Sequence, residues 1–224
     1  MSFWSQASEI ARIDLVAERR VGETLKIVLP FAVVALFVFP VAIGFRLSIL
    51  SSAGPAVFWS IGVLFGMQIA LRNTADDTTE RRDLMALLGV DPAARFVGRT
   101  ISGSVLTLAF LLVLFLAMTL LFGPDLPGGT WWMVGISTVL MAVGLTELAT
   151  LAGELTAGLA NRSALASLIV APLSIPLVIG ASQSLEALRR SETILPWILL
   201  MVTADLALAV IGVALARPLE EAAR

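Results

Sequence analysis

The chain has 224 residues, of which 58% are hydrophobic and only 14% are charged, and its mean hydropathy is +0.95. Soluble domains carry about 25% charged residues, so this composition is typical of a multi-pass membrane protein, here a single membrane domain over residues 1–224. The absence of Cys, His and Tyr excludes disulfides, thiol chemistry and zinc sites of the usual kind, and we predict no bound cofactor.

The N-terminal segment, residues 1–26, precedes the first long apolar stretch and has an amphipathic pattern. Its apolar residues recur at helical spacing: Phe3, Trp4, Ala7, Ile10 and Ala11. Charged residues occupy the other faces of the same helix. The pattern predicts a short helix that lies in the membrane interface before the first span. A solvated helix that does not touch the membrane is the alternative.

Six apolar stretches qualify as transmembrane helices, which need roughly 20 mostly apolar residues. They cover residues 27–45, 55–71, 100–122, 131–151, 164–182 and 194–216. Four tryptophans lie near the ends of these spans, as expected for rings at a membrane interface: Trp59, Trp131, Trp132 and Trp197. The sequence therefore predicts an all-α membrane protein with six transmembrane helices.

The basic residues are distributed unequally between the two sides of these spans. Twelve of the fifteen Lys and Arg residues fall on the side that holds both termini, and only Arg46, Arg189 and Arg190 fall on the other. Because basic loops stay in the cytoplasm, both termini are predicted to be cytoplasmic.

The loop between the second and third spans, residues 72–99, holds about a third of all charged residues. Asp76 and Asp77 can cap a helix over residues 79–88, and Gly89 can end that helix in a left-handed conformation. Asp91 and Pro92 then fit the N-cap and first position of a second helix that runs into the third span. The loop thus predicts a helix, a tight break and a helical return to the membrane.

The first helix of this loop has a short apolar ridge, formed by Leu84, Leu87 and Leu88. Its charged residues mostly point to other faces. Such a helix can dock into a groove of a partner protein. It can equally rest on lipid headgroups, and the local pattern does not separate the two.

Three acidic residues lie in or near the spans: Glu147, Glu154 and Asp205. Ionisable groups in hydrocarbon are costly and usually face a protein interior or water, so a transport or proton-relay site is one interpretation. An interhelical hydrogen bond or a solvated helix end is the other. In the fifth span, Pro172 and Pro176 each remove a backbone donor and are predicted to kink the helix.

The order of these elements resembles the ABC-2 type permeases of ABC transporters. In that class the loop between spans two and three contains the coupling helix that docks on the ATPase subunit, and the segment ERRDLMALLGVDPAARFVGR is similar to it. Within the class, the chain resembles the haem exporter B (CcmB) family of the cytochrome c maturation system. The likeness rests on RIDLVAERR at 12–20, PAVFW at 55–59, the pair Asp76-Asp77 and APLSIPLVI at 171–179. TTERRDL stands where that family tends to have an Asp-Gly pair.

This resemblance implies a set of coupling residues and a set of partners. The coupling residues would be Glu80, Arg81, Arg82, Asp83, Leu84, Leu87 and Leu88. The implied complex lies in the bacterial inner membrane and pairs a homodimer of this chain with an ABC ATPase subunit (CcmA-like). It also contains a haem-handling membrane subunit (CcmC-like) and a small single-span subunit (CcmD-like), and it acts on a periplasmic haem chaperone (CcmE-like). ATP would bind the partner, and the complex would handle haem, by exporting it or by releasing haem-loaded chaperone.

No residue pattern in the chain supports catalysis or nucleic-acid binding. It has no Gly-rich phosphate loop, no nucleophile with a His base and no cluster of metal ligands. We therefore predict a non-catalytic permease subunit. The alternatives are an ABC-2 permease for a lipid, drug or polysaccharide, an ion-coupled secondary transporter using Glu147 and Asp205, and a membrane scaffold with no transport role.

Overall fold

The computed structural model describes residues 2–75, 79–124, 129–156 and 162–222, and the regular secondary structure of these residues is entirely helical. The helices are α1 (Phe3–Val21), α2 (Glu23–Ala42), α3 (Leu47–Ala75), α4 (Thr79–Leu87), α5 (Pro92–Phe122), α6 (Trp131–Leu155), α7 (Arg162–Leu173), α8 (Ile175–Arg189) and α9 (Leu195–Ala222).

Four of these helices, α3, α5, α6 and α9, are long and apolar enough to cross a membrane. The pair α7 and α8 passes the same test as one span that is bent by 47°. The apolar part of α2, Lys26–Ala42, is shorter. An all-helical, multi-pass membrane protein is thus confirmed, with four or five spans by length and composition, and the count of six stays a prediction.

Two predicted boundaries were wrong around the connection between α2 and α3. Helix α2 ends at Ala42 rather than at residue 45, because Gly44 and Phe45 adopt positive φ angles of 65° and 53° that end the helix. Helix α3 begins at Leu47, eight residues before Pro55, which the sequence pattern had suggested as the start. A proline can therefore be accommodated inside this helix, although it lacks the amide hydrogen for one helical bond.

The earlier start of α3 changes the environment of Trp59. Its side chain is only 1% exposed and packs against Phe58, with ring centroids 4.7 Å apart. The prediction of an interfacial position was therefore wrong for Trp59. Trp131 and Trp132, at the start of α6, are exposed as expected for rings at a membrane boundary.

The core lies where α3, α5 and α6 meet. Its largest buried side chains include Phe58, Phe110, Leu111, Leu114 and Met141. Three threonines of α6 are satisfied within the helix, since Thr138, Thr146 and Thr150 each donate a hydrogen bond of 2.8 Å to the carbonyl four residues earlier. This pairing lets α6 carry hydroxyl groups through an apolar interior without unpaired donors.

Helix α5 is longer than a membrane requires. Its 31 residues extend about 46 Å, whereas the hydrocarbon layer is about 30 Å thick. The excess carries Arg95 and Arg99, so it lies at the N-terminal end of the helix. Helix α1 packs on this excess, and Gly98 provides the close approach. We call this end of the bundle the charged end; it comprises α1, α4, the first turns of α5 and the last turns of α6 and α9.

The contact at Gly98 predicts a specific sensitivity to side-chain size. A Cβ atom there would lie 2.7 Å from the carbonyl oxygen of Ala7 and 2.9 Å from the Cβ atom of Ile10, so α1 would have to move. We expect Gly98→Ala to destabilise the protein by about 1–3 kcal/mol, as overpacking does. The measurement is thermal unfolding in detergent, combined with the rate of tryptic cleavage within α1.

Gly135→Ala is the matched control, because a Cβ atom at that helical glycine meets nothing within 4 Å. It should be neutral or stabilising by up to about 1 kcal/mol, since alanine is the better helix former. Equal effects of the two substitutions on unfolding would contradict the close packing of α1 on α5.

Candidate functional site at the charged end

The loop between α3 and α5 folds as its caps predict. Helix α4 spans Thr79–Leu87, and Gly89 follows it with a φ of +70°. Asp91 is the N-cap of α5, where its carboxylate accepts a hydrogen bond of 3.0 Å from the amide of Ala93, and Pro92 occupies the first helical position. The predicted helix, break and helical return are therefore confirmed. The proposed caps Asp76 and Asp77 lie outside the described residues.

The apolar ridge of α4 is exposed. Leu84, Leu87 and Leu88 are 58%, 86% and 72% exposed, respectively. The described part of the bundle leaves these three neighbouring leucines largely uncovered, so they are open to a partner protein or to lipid headgroups. The side chains of the other α4 residues named from the sequence, Glu80, Arg82 and Asp83, lie outside the described part of the structure.

Arg81 joins α4 to α1. Its guanidinium Nη2 donates a hydrogen bond of 2.6 Å to Oδ1 of Asp14, a buried carboxylate on the inner face of α1. The hydroxyl of Ser102, on α5, lies 3.4 Å from the other oxygen of Asp14, and it shares its hydrogen with the carbonyl of Arg99 at 3.0 Å. Asp14 therefore ties three helices together, and charge-assisted hydrogen bonds of this kind are among the stronger ones in proteins.

Asp91 joins the start of α5 to two further helices. Its backbone amide donates to Oε1 of Gln6, on α1, at 3.0 Å. Its carboxylate accepts a hydrogen bond of 2.7 Å from Nη2 of Arg217, on α9. This hydrogen bond holds the pKa of Asp91 below its ordinary value. Asp91 thus fixes the start of α5 to α1 through its backbone and to α9 through its side chain.

Arg95 lies at the centre of the charged end. Its side chain is 3% exposed, and its guanidinium faces carboxylates from two helices. Nη2 lies 3.5 Å from Glu154, at the end of α6, and Nη1 lies 3.1 Å from Glu220, near the end of α9. Glu154 is therefore a buried interhelical partner at this end, as in the interhelical interpretation of the sequence.

These contacts connect the helices that meet at the charged end. Among the described residues, no group of three or more His, Cys, Asp or Glu side chains could hold a metal ion. The arrangement instead links α4 through Asp14 to α1 and α5, and α5 through Arg95 to α6 and α9. The contacts thus lead from α4 to helices that span the membrane.

Glu147 and Asp205 form a second polar feature, between α6 and α9 and inside the spans. They are 6% and 7% exposed, and they lie within electrostatic range of each other. Oε2 of Glu147 and both carboxyl oxygens of Asp205 are buried without a hydrogen-bond partner among the described residues. The carboxyl group of Asp205 rests against Gly144, whose lack of a side chain leaves room for it.

The fifth predicted span is broken between its two prolines. Helix α7 ends at Leu173 and α8 begins at Ile175, with Ser174 between them and a bend of 47°. Pro176 has no amide hydrogen to donate to the carbonyl of Pro172, so one helical hydrogen bond is missing at this point. The hydroxyl of Ser174 donates to the carbonyl of Ala171 at 2.8 Å.

Several residues of the charged end were missed from the sequence: Gln6, Asp14, Asp91 as a partner of Arg217, Arg95 and Glu220. A signal for Asp14 was present, because it follows Ala7 and Ile10 on the apolar face of α1 at spacings of seven and four. An acidic residue on such a face must meet a partner when the face is covered. Arg95 carried no local signal, since it resembles any cation of a basic loop.

The burial of Arg95 predicts a large effect of its removal. We expect Arg95→Met to destabilise the protein by about 3–5 kcal/mol, because the carboxylate of Glu154 would stay buried without this cation. The double variant Arg95→Met with Glu154→Gln should recover part of the loss. Thermal unfolding in detergent measures both.

Arg190→Met is the matched control, since Arg190 pairs with Glu186 on the exposed part of α8. Its effect should lie within about 0.5 kcal/mol. If Arg95→Met is as mild as this control, Arg95 does not hold the charged end together.

Comparison with known proteins finds relatives that match most of the chain. The model of the family described as CcmB protein matches residues 5–221. "Heme exporter protein B" of Haemophilus influenzae is 28% identical to the chain over 181 residues, which cover 80% of each protein. The family match extends from the first turn of α1 to the last turn of α9, so it includes every helix of the charged end.

Proposed function

Because the chain belongs to the CcmB protein family, we propose that it is the membrane permease subunit of an ABC transporter complex for cytochrome c maturation. The observation that carries this proposal is the family match over residues 5–221, together with the exposed leucine ridge of α4, which ion pairs and hydrogen bonds join to the bundle. The name of the Haemophilus influenzae relative adds haem export as the process.

We place the charged end in the cytoplasm of a bacterium and the chain in its inner membrane, with six spans in the ABC-2 arrangement. Twelve of the fifteen basic residues lie on the side of this end, which supports the orientation. A partner ATPase that hydrolyses ATP in the cytoplasm could then reach α4. In this proposal the chain itself is non-catalytic.

The proposed mechanism begins at the ridge of Leu84, Leu87 and Leu88, which binds a groove on the ATPase. Movement of that groove displaces α4, and Arg81 passes the displacement to Asp14 on α1. Because Asp14 also accepts a bond from Ser102, the displacement reaches α5. The break at Ser174, between Pro172 and Pro176, is a point at which the bundle can bend in response.

Haem is the cargo of this complex rather than a resident cofactor of the chain. The work done through α4 either exports haem or releases haem-loaded chaperone. The absence of His and Cys from the sequence favours release, because this chain then need not ligate haem on the way. The proposed partners are the CcmA-like ATPase, the CcmC-like and CcmD-like membrane subunits and the CcmE-like chaperone, around a homodimer of this chain.

One specific observation favours a second function. The buried, unpartnered carboxyl oxygens of Glu147 and Asp205 suit an ion-coupled secondary transporter. Such a transporter would work without an ATPase, whereas the permease of haem or of another substrate, such as a lipid, drug or polysaccharide, requires one. Whether transport requires the ATPase thus distinguishes a secondary transporter from an ABC permease.

Truncation of the leucine ridge is predicted to weaken binding of the ATPase subunit. We expect the triple variant Leu84→Ala, Leu87→Ala and Leu88→Ala to lower co-purification of the ATPase subunit by about tenfold or more, because a few buried anchors dominate such interfaces. Alanine preserves the helix. The measurement is the ATPase recovered with the tagged chain from detergent-solubilised membranes, together with its turnover.

A matched control truncates three exposed leucines on the spanning part of α5: Leu112, Leu116 and Leu120. It removes the same apolar groups at a lipid-facing surface, so ATPase recovery should be unchanged. Equal recovery with both variants would sink the proposed docking of α4.

A further inference from the structure

A groove between α1 and α5 lies on a face of α1 other than the one that carries Gln6 and Asp14. Its cavity volume is about 420 Å³. Apolar side chains form its floor: Ala11, Leu15 and Val16 from α1 and Ile101 from α5. Ser8, Arg12 and Arg19 also line it. Gln6 and Asp14, which hold the neighbouring helices, are not part of it.

The length of α5 sets the level of this groove relative to a membrane. Ile101 is followed by 21 residues of the same helix, which end at Phe122 and extend about 31 Å. That length matches the thickness of the hydrocarbon layer. By this length Ile101 lies at the boundary of the hydrocarbon, and Arg12 and Arg19 line the same groove as Ile101.

The charges around the groove are unbalanced. Arg12 is exposed and pairs only at 3.4 Å with Glu9, an i,i+3 contact in solvent that contributes little. Arg19 is exposed and has no hydrogen bond or ion pair among the residues whose side chains the structure describes. Among the residues whose side chains the structure describes, no acidic one lines the groove. Arg12 and Arg19 are seven residues apart, so they lie on one face of α1 beside the apolar side chains of the groove.

We propose that this groove binds an anionic phospholipid of the leaflet that surrounds the charged end. The lipid phosphate lies between the guanidinium groups of Arg12 and Arg19, which are suited to phosphate by their planar arrays of donors. One acyl chain lies along Ala11, Leu15 and Ile101. The bound lipid holds α1 at the membrane surface, with Asp14 turned inward toward Arg81. This site does not depend on the proposed transport function.

The test measures lipid retained by the purified full chain. The chain is reconstituted in nanodiscs of equal phosphatidylglycerol and phosphatidylcholine, and the lipids that stay bound on release are counted by native mass spectrometry. We expect the unaltered chain to retain phosphatidylglycerol in preference to phosphatidylcholine. The variant Arg12→Gln with Arg19→Gln should lower retained phosphatidylglycerol at least about fivefold.

Two further variants separate the groove from general surface charge. Arg20→Gln with Arg190→Gln removes the same two charges from exposed positions outside the groove, and retention should stay as in the unaltered chain. Arg12→Lys with Arg19→Lys keeps the charges and should retain most of the lipid. Circular dichroism verifies the helix content of each variant.

Equal loss in the groove variant and the Arg20/Arg190 control would show diffuse attraction and overturn the site. Equal retention of phosphatidylcholine and phosphatidylglycerol by the unaltered chain would overturn the preference for an anionic lipid. Either result leaves the proposed coupling through α4 intact, because Leu84, Leu87 and Leu88 take no part in the groove.

Discussion

The burial of Arg95 between Glu154 and Glu220 is the constraint on which the charged end depends. A guanidinium removed from water costs several kcal/mol unless carboxylates stay beside it, so the base of α5 cannot separate from the last turns of α6 and α9. These three helices therefore form a fixed frame. Helix α4 lies outside the frame and is joined to it through Arg81, Asp14 and Ser102.

Two different faces of helix α1 take part in the proposed interactions. Its inner face packs on α5 at Gly98 and presents Asp14 to Arg81, whereas its outer side carries Arg12 and Arg19 over the proposed lipid groove. An amphipathic helix that only rests on the membrane surface would require neither the contacts of the inner face nor the groove of the outer side. In the proposed function, α1 is thus the intermediate between the ATPase-facing helix and the spans.

Local chemistry made part of the site predictable from the sequence. Gly89 and the pair Asp91-Pro92 act through caps within a few residues, so the helix, break and return could be derived. The partner of Arg81 lies 67 residues away in the sequence, and no local pattern reports such a distance. Arg95 was counted only among the basic residues of the cytoplasmic side, because the positive-inside rule does not distinguish buried from exposed arginines. The start of α3 was missed because Pro55 resembles a helix start.

The central claim is that the pair of Asp14 and Arg81 transmits displacement of α4 to the bundle. The most direct measurement exchanges the two charges in cells and follows cytochrome c yield, with ATPase recovery as the check on assembly. Asp14→Arg alone and Arg81→Asp alone place like charges together, and each should lower the yield by about tenfold while the ATPase still co-purifies. The double variant should restore most of the yield. A double variant no better than either single one, or single variants that leave the yield unchanged, would contradict the account.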